Sequence, residues 1–148
     1  KRGKRSECTD DVLEREQKAA VFRFTSGFFL IVRSVDEWME VCADDIAFGS
    51  IAQGQPEGAS YLTAYHSRAS LKDYFAGLAR DWEMMEYAVD NFVAQDDRVV
   101  MLGRCAWKFR KTGKVVWTPK VDSWRFKNGK AVEFYEYFDT AQVHSAVA

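Results

Sequence analysis

Two glycine turns in the last third of the chain constrain its folding more than any other feature. They are Thr112-Gly113-Lys114 and Lys127-Asn128-Gly129-Lys130, set among runs dense in Val, Phe, Tyr and Trp. Glycine tolerates the positive φ that tight hairpin turns need, so Thr-Gly and Asn-Gly between aromatic and β-branched runs read as hairpins. The pattern predicts a three-stranded antiparallel meander over about 98–110, 114–126 and 130–139. Side chains alternate across a strand, so residues two apart share a face. Thr118, Lys120, Asp122 and Trp124 then point one way, opposite Val121, Ser123 and Arg125. Cys105, Trp107 and Phe109 share a face of the first strand, and Phe134, Glu136 and Phe138 share a face of the last. Pairing brings these sets onto one concave surface that places Lys120, Asp122 and Glu136 among aromatic rings. Carboxyl groups there cost free energy unless they are paired or hydrogen-bonded, which makes them candidates for chemistry.

At 148 residues the chain has the length of one domain with a genuine core. Its formal net charge of −1 argues against a general nucleic-acid or anionic-membrane binder. Aromatic residues make up 15%, which fits an aromatic-lined interior as well as a dense core. Cys8, Cys42 and Cys105 match no metal spacing, and Cys42 and Cys105 read as buried thiols. No apolar run reaches transmembrane length and no secretory segment is visible, so a cytoplasmic location is expected.

In chain order, residues 1–8 read as a solvated basic arm and 9–141 as the domain, with 142–148, including His144, as a tail. Thr9 or Asp10 caps a long helix whose apolar positions include Leu13, Ala20, Phe24, Phe28, Ile31 and Val35. Ser34 to Glu37 forms a capping box for a short second helix ending near Cys42, where Asp44-Asp45 stop it. Residues 46–48 read as a short strand, and 53–58 as a loop. Ser67 or Ser70 caps a helix through about Trp82 with Leu71, Phe75 and Leu78 inward, and an imperfect alternation over 86–94 leads to the meander. The element order is ααβαβββ.

These elements, with Ala43-Asp44-Asp45, the segment LKDYFAGL and the hairpin WRFKNGKAVEFYEYFDTA, resemble the SnoaL-like branch of the nuclear-transport-factor-2-like superfamily over about residues 10–141. The resemblance implies an α+β fold, a cone-shaped, curved, mainly antiparallel mixed sheet wrapped around the long N-terminal helix. Ketosteroid isomerases, polyketide cyclases and limonene epoxide hydrolases share that cone, so it implies the fold more firmly than the activity. Asp122 matches the pocket acid of the isomerases, a protonated oxyanion-hole carboxyl there, and resembles an acid/base aspartate of the cyclases. The isomerase base falls near Ser50 and its oxyanion tyrosine near Ser26. The arginine-x-aspartate of the epoxide hydrolases falls on Gly103 to Cys105, which leaves Glu136 as the one carboxylate with a counterpart there. The chain is also longer over residues 51–66.

Asp122, Glu136 and Lys120 are therefore the candidate catalytic set. Desolvation and mutual repulsion raise carboxyl pKa values while Lys120 lowers them, and one neutral beside one ionised carboxyl makes an acid and a base. Such a pair suits proton transfer beside a carbonyl, aldol-type closure or addition of water, with no cofactor or metal. The ligand-facing set is Phe24, Phe28, Phe48, Tyr61 and His66 with the meander's Trp107, Phe109, Trp124, Phe134 and Phe138. The structural alternative ties Asp122 to Lys120 or Arg104. Trp117, Val121, Ser123, Tyr135 and Tyr137 form an outward patch too apolar for a solvated sheet, and the resemblance implies a homodimer through it. Two readings follow: a cofactor-free lyase, isomerase or cyclase acting on a small hydrophobic carbonyl compound with Asp122 as principal acid/base, or a non-catalytic binding or accessory dimer module.

Overall fold

A computed structural model describes residues 35–52 and 64–148. The expected long first helix, with Ser26, Phe24 and Phe28, falls outside the described residues, as do the expected basic arm, Tyr61 and the expected Ser34 cap. The described elements are α1 (Val35–Val41), β1 (Cys42–Ser50), α2 (Leu71–Asp81), β2 (Trp82–Gln95), β3 (Arg98–Phe109), β4 (Val115–Lys127), β5 (Lys130–Phe138) and α3 (Thr140–Val147). The strands form one open sheet in the order β1-β5-β4-β3-β2, parallel between β1 and β5 and antiparallel elsewhere. This is the mixed α+β sheet that the sequence implied.

The meander lies within a residue or so of its predicted bounds because its turns are chemically explicit. Asn128 and Gly129 take φ values of 52° and 74°, the paired left-handed conformations of a type I′ hairpin turn. Gly113 has φ 74° and closes the other turn by donating its N–H to the Phe109 carbonyl at 2.8 Å. Four expectations need correction. Asp44-Asp45 do not stop a helix: they lie inside β1, whose nine residues run from Cys42 and exceed the expected three. The strand before the meander extends over 14 residues, which adds a fourth strand after α2 where the order ααβαβββ held three. Two register shifts break its alternation, between Met84 and Glu86 and between Val89 and Asn91, which is why the sequence pattern looked imperfect. Residues 142–148 are not a tail, because most of them, including His144, belong to α3. There Asp139 caps the helix by accepting from the Gln142 N–H at 3.1 Å, and Ala146 is buried.

The core sits on the sheet face that carries Trp124 and Phe134. Trp38 from α1 packs against Phe75, Trp124 and Phe134 at ring separations of 5.1, 5.3 and 5.6 Å, and Phe48 stacks on Phe134 at 4.4 Å. Trp82 opens β2 rather than closing the helix, and packs on Phe109 at 4.8 Å. The buried side of α2 is Leu71, Tyr74 and Gly77, with Phe75 and Leu78 only partly covered. Ser67 caps the turn before α2 by accepting from the Ser70 N–H at 3.1 Å. Among the described residues no helix is long and apolar enough to cross a membrane.

Candidate functional site

The sheet register creates the site. Asp122 on β4 lies directly opposite Glu136 on β5, and Glu136 pairs in turn with Ser50 on β1. Two carboxylates facing each other across strands repel, and both are buried, with Asp122 4% and Glu136 5% exposed. Lys120, two residues before Asp122 on the same face and 6% exposed, resolves the conflict. Its ammonium lies 2.9 Å from Asp122 Oδ1 and donates to Glu136 Oε2. Each carboxyl also accepts from a tyrosine: Tyr87 on β2 donates to Asp122 Oδ2 at 2.7 Å, and Tyr74 on α2 donates to Glu136 Oε1 at 3.3 Å. Five polar side chains from α2, β2, β4 and β5 thus meet inside an aromatic core.

Fully ionised, the three charged groups sum to one negative charge, and burial makes that state costly. Burial also opposes the charge of Lys120, but Asp122 and Glu136 together outweigh it and raise the lysine's pKa, so it stays protonated. Glu136 is the carboxyl whose proton affinity the cluster changes. Burial raises the pKa of Glu136 above its ordinary value, Lys120 pulls it down, and the neighbouring charge of Asp122 pushes it up again; the net direction is upward. Burial, then the charge of Asp122, push the Tyr87 phenol well above its usual range, so Tyr87 acts as a donor.

A cavity of about 60 Å³ opens beside this cluster, and the two carboxyls are not equivalent toward it. Lys120 and Glu136 line it, together with Trp107, Phe138, Trp82 and Tyr74, whereas Asp122 does not. Asp122 stands behind Lys120, held by Tyr87. Arg104, the other partner considered for Asp122, lies elsewhere and pairs with Asp90 and Glu86.

The remaining candidates divide. Trp107 and Phe138 face the cavity, but Phe109 and Trp124 are core residues that do not line it. Phe48, Phe134 and His66 line a separate cleft of about 270 Å³ bordered by Arg98 and Tyr135. Tyr74 and Tyr87 escaped the sequence reading because a tyrosine at helical or strand spacing reads as core, and nothing local says that its hydroxyl meets a carboxylate. Cys105 and Cys42 are free and buried, and burial pushes their thiols up to about 11 and about 12, so neither is a ready nucleophile.

Two positions singled out by the resemblance acquire physical explanations. Ser50 is 1% exposed, and its hydroxyl accepts from the Ala52 N–H at 3.2 Å. It is the cross-strand neighbour of Glu136, so a carboxyl is present one strand away from where the isomerase base would sit. At Gly103 a Cβ would lie 2.2 Å from the Ala88 carbonyl oxygen, which leaves no room for any side chain on this backbone.

The profile of the SnoaL-like domain matches residues 23–134. The chain belongs to this family. Solved structures show the same fold around the SnoaL-like domain. An NTF2-like protein of unknown function from Burkholderia pseudomallei is 23% identical, with TM-score 0.77 over 90% of this chain and 98% of its own. A provisionally assigned SnoaL-like polyketide cyclase from Jannaschia is 18% identical, with TM-score 0.73 over 90% and 92%. An epoxide hydrolase of the LEH-like type from M. tuberculosis is 13% identical, with TM-score 0.68 over 90% of each chain. No curated protein matches the chain.

Proposed function

We propose that this SnoaL-like domain is a cofactor-free lyase, isomerase or cyclase that moves a proton beside the carbonyl of a small hydrophobic compound. The observation that carries this reading is the asymmetry of the carboxyl pair: Glu136 lines the cavity with Lys120, while Asp122 is withdrawn behind them. Two carboxyls pushed into different environments are how a site obtains an acid and a base at one pH. Glu136, not Asp122, is then the principal acid/base. Lys120, held protonated, supplies positive charge next to an oxygen that becomes negative as the proton leaves. A space of about 60 Å³ takes only the reacting end of a ligand, whose apolar body extends past Trp107 and Phe138. That solved neighbours carry cyclase and epoxide-hydrolase names is consistent with a family that places several reactions in one cone.

The test needs no knowledge of the natural substrate. Small aryl and cyclic ketones are incubated with the protein in D₂O, and loss of the α-proton signals is followed by ¹H NMR. General-base help is worth about 10²–10⁴-fold, so Glu136→Gln should remove exchange on that scale. Exchange that persists unchanged in Glu136→Gln would refute the assignment.

A second reading, a non-catalytic binding or accessory module, is favoured by the pairing of Lys120 with both carboxylates and by the small cavity. It predicts no exchange with any ketone, and binding of an apolar ligand that is indifferent to Glu136→Gln. On either reading we propose a homodimer through the outer sheet face, where Trp117, Tyr135 and Tyr137 are 59%, 36% and 43% exposed.

A further inference from the structure

The lining of the cavity runs along β4. Lys120, Thr118 and Val116 share one face of the strand and all border it, so it leads from the charged cluster over roughly 13 Å of strand toward the β3–β4 turn. Thr118 has its hydroxyl engaged, accepting from the Asp139 N–H at 2.7 Å and donating to the Pro119 carbonyl at 2.8 Å. Beyond it the cavity is bounded by Val116, by Trp107 directly across from it on β3, and by Val143 from α3. One end of the cavity is therefore charged and the other is hydrocarbon, which suits a ligand with a single polar function and an apolar body.

Hydrogen bonds at both ends fix α3 over the apolar end. Its inward residues Val143, Ala146 and Val147 recur at helical spacing and pack on the core. At its start the Asp139 N–H reaches Thr118. At its end the Thr112 hydroxyl donates to the Ala146 carbonyl at 2.7 Å, and the Lys114 ammonium to the Ser145 carbonyl at 3.0 Å. Thr112 and Lys114 belong to the turn that joins β3 to β4, so the helix is tied to the two strands that line the cavity. Val143 lies between these ties in sequence and borders the cavity. Leu78, Trp107, Phe138 and Val143 are the half-buried members of the lining, whereas Lys120 and Glu136 are buried, so a ligand enters past those four. We propose that Val143 is a specificity-determining residue: held by α3 over the apolar end, it sets how large a group stands opposite the carbonyl that meets Glu136 and Lys120.

This inference rests on the cavity being the site of proton transfer, but its test reads binding rather than turnover, so the two fail separately. Cyclohexanone and 4-ethylcyclohexanone differ by two carbons on the ring atom opposite the carbonyl. Each is titrated into ¹⁵N-labelled protein, and its dissociation constant is read from the indole N–H signals of Trp82 and Trp107, which both line the cavity. Val143→Ala removes two methyl carbons, as many as the ethyl group adds. The ratio of the two constants should then move about tenfold in favour of 4-ethylcyclohexanone. Val143→Phe should move the ratio the other way; if it does not fold, Val143→Leu takes its place with a smaller shift in the same direction. His144→Ala, at an exposed position of α3, is the control and should leave the ratio unchanged. A general loosening of α3 would move both Val143 variants in one direction. Shifts of opposite sign support the proposal. An unchanged ratio, shifts of one sign, or no response of either indole to either ketone overturns it. Ratios that follow the side chain at Val143 without any α-proton exchange in D₂O uphold this inference and refute the proton-transfer reading, and exchange with a ratio indifferent to that side chain does the reverse.

Discussion

Replacing Lys120 by methionine tests the buried cluster most directly. The methionine keeps the apolar stem in the core and deletes the positive charge that Lys120 places between Asp122 and Glu136. Paired positions directly across strands place their Cβ atoms about 5 Å apart, and at an effective dielectric of about 20 two like charges at that distance repel by about 3 kcal/mol. Breaking a buried ion pair on one side generally costs about 3–5 kcal/mol, which agrees. Near neutral pH the variant should lose about 3–4 kcal/mol, or on the order of 10 °C in Tm for a chain of this length. The loss should depend on pH. Without Lys120, Glu136 holds its proton to still higher pH in the folded state, while the unfolded chain releases it near the ordinary value of 4.5. A folded state that binds more protons than the unfolded one loses stability as pH rises. Urea unfolding at about pH 5 and about pH 8 should therefore show the penalty shrinking on the acid side. Arg104→Ala is the control, since Arg104 is 54% exposed and pairs with Asp90 and Glu86 at the surface; it should cost less than about 1 kcal/mol at either pH. A Lys120→Met penalty as small as the control's, or one independent of pH, would show that the three groups do not share a buried electrostatic balance.

Other consequences follow from the same geometry. Because the folded-state pKa of Glu136 is raised, its contribution to stability is fully present below 4.5 and is lost as pH rises through the folded value; Glu136→Gln should flatten that part of a stability-versus-pH curve. Gly103→Ala pushes a Cβ into the Ala88 carbonyl oxygen at 2.2 Å and should destabilise by about 1–3 kcal/mol in thermal unfolding, against a neutral outcome if β2 moves aside freely. Trp117→Lys places a charge in the outer aromatic patch and should convert a dimer to a monomer by light scattering; a monomeric native protein would remove the dimer proposal.

Local chemistry made most of the sheet legible. Gly113 and the Asn128-Gly129 pair impose positive φ, and period-two alternation then assigns Lys120, Asp122, Trp124, Phe134 and Glu136 to one face without reference to the rest of the chain. The same logic failed in β2, where two bulges break the alternation, and in β1, where Asp44 and Asp45 point outward from a strand buried mainly over its last three residues. At the site the three charged residues were legible as neighbours because charge on an aromatic face is conspicuous, and the structure brings them into contact. Which of them borders a cavity was not legible: Asp122 stood out by its similarity to the pocket acid of related proteins, whereas the cavity is lined by Lys120 and Glu136.

Thus the sequence by itself determined which side chains share a face, because strand period and turn conformation are properties of neighbouring residues. Only the tertiary structure decided what those side chains meet. Register set Asp122 against Glu136, and packing brought the hydroxyls of Tyr74 and Tyr87 to them from elements 62 and 35 residues away in the chain. Which carboxyl faces the cavity depends on those distant partners, since burial, hydrogen bonds and neighbouring charge act through space rather than along the chain.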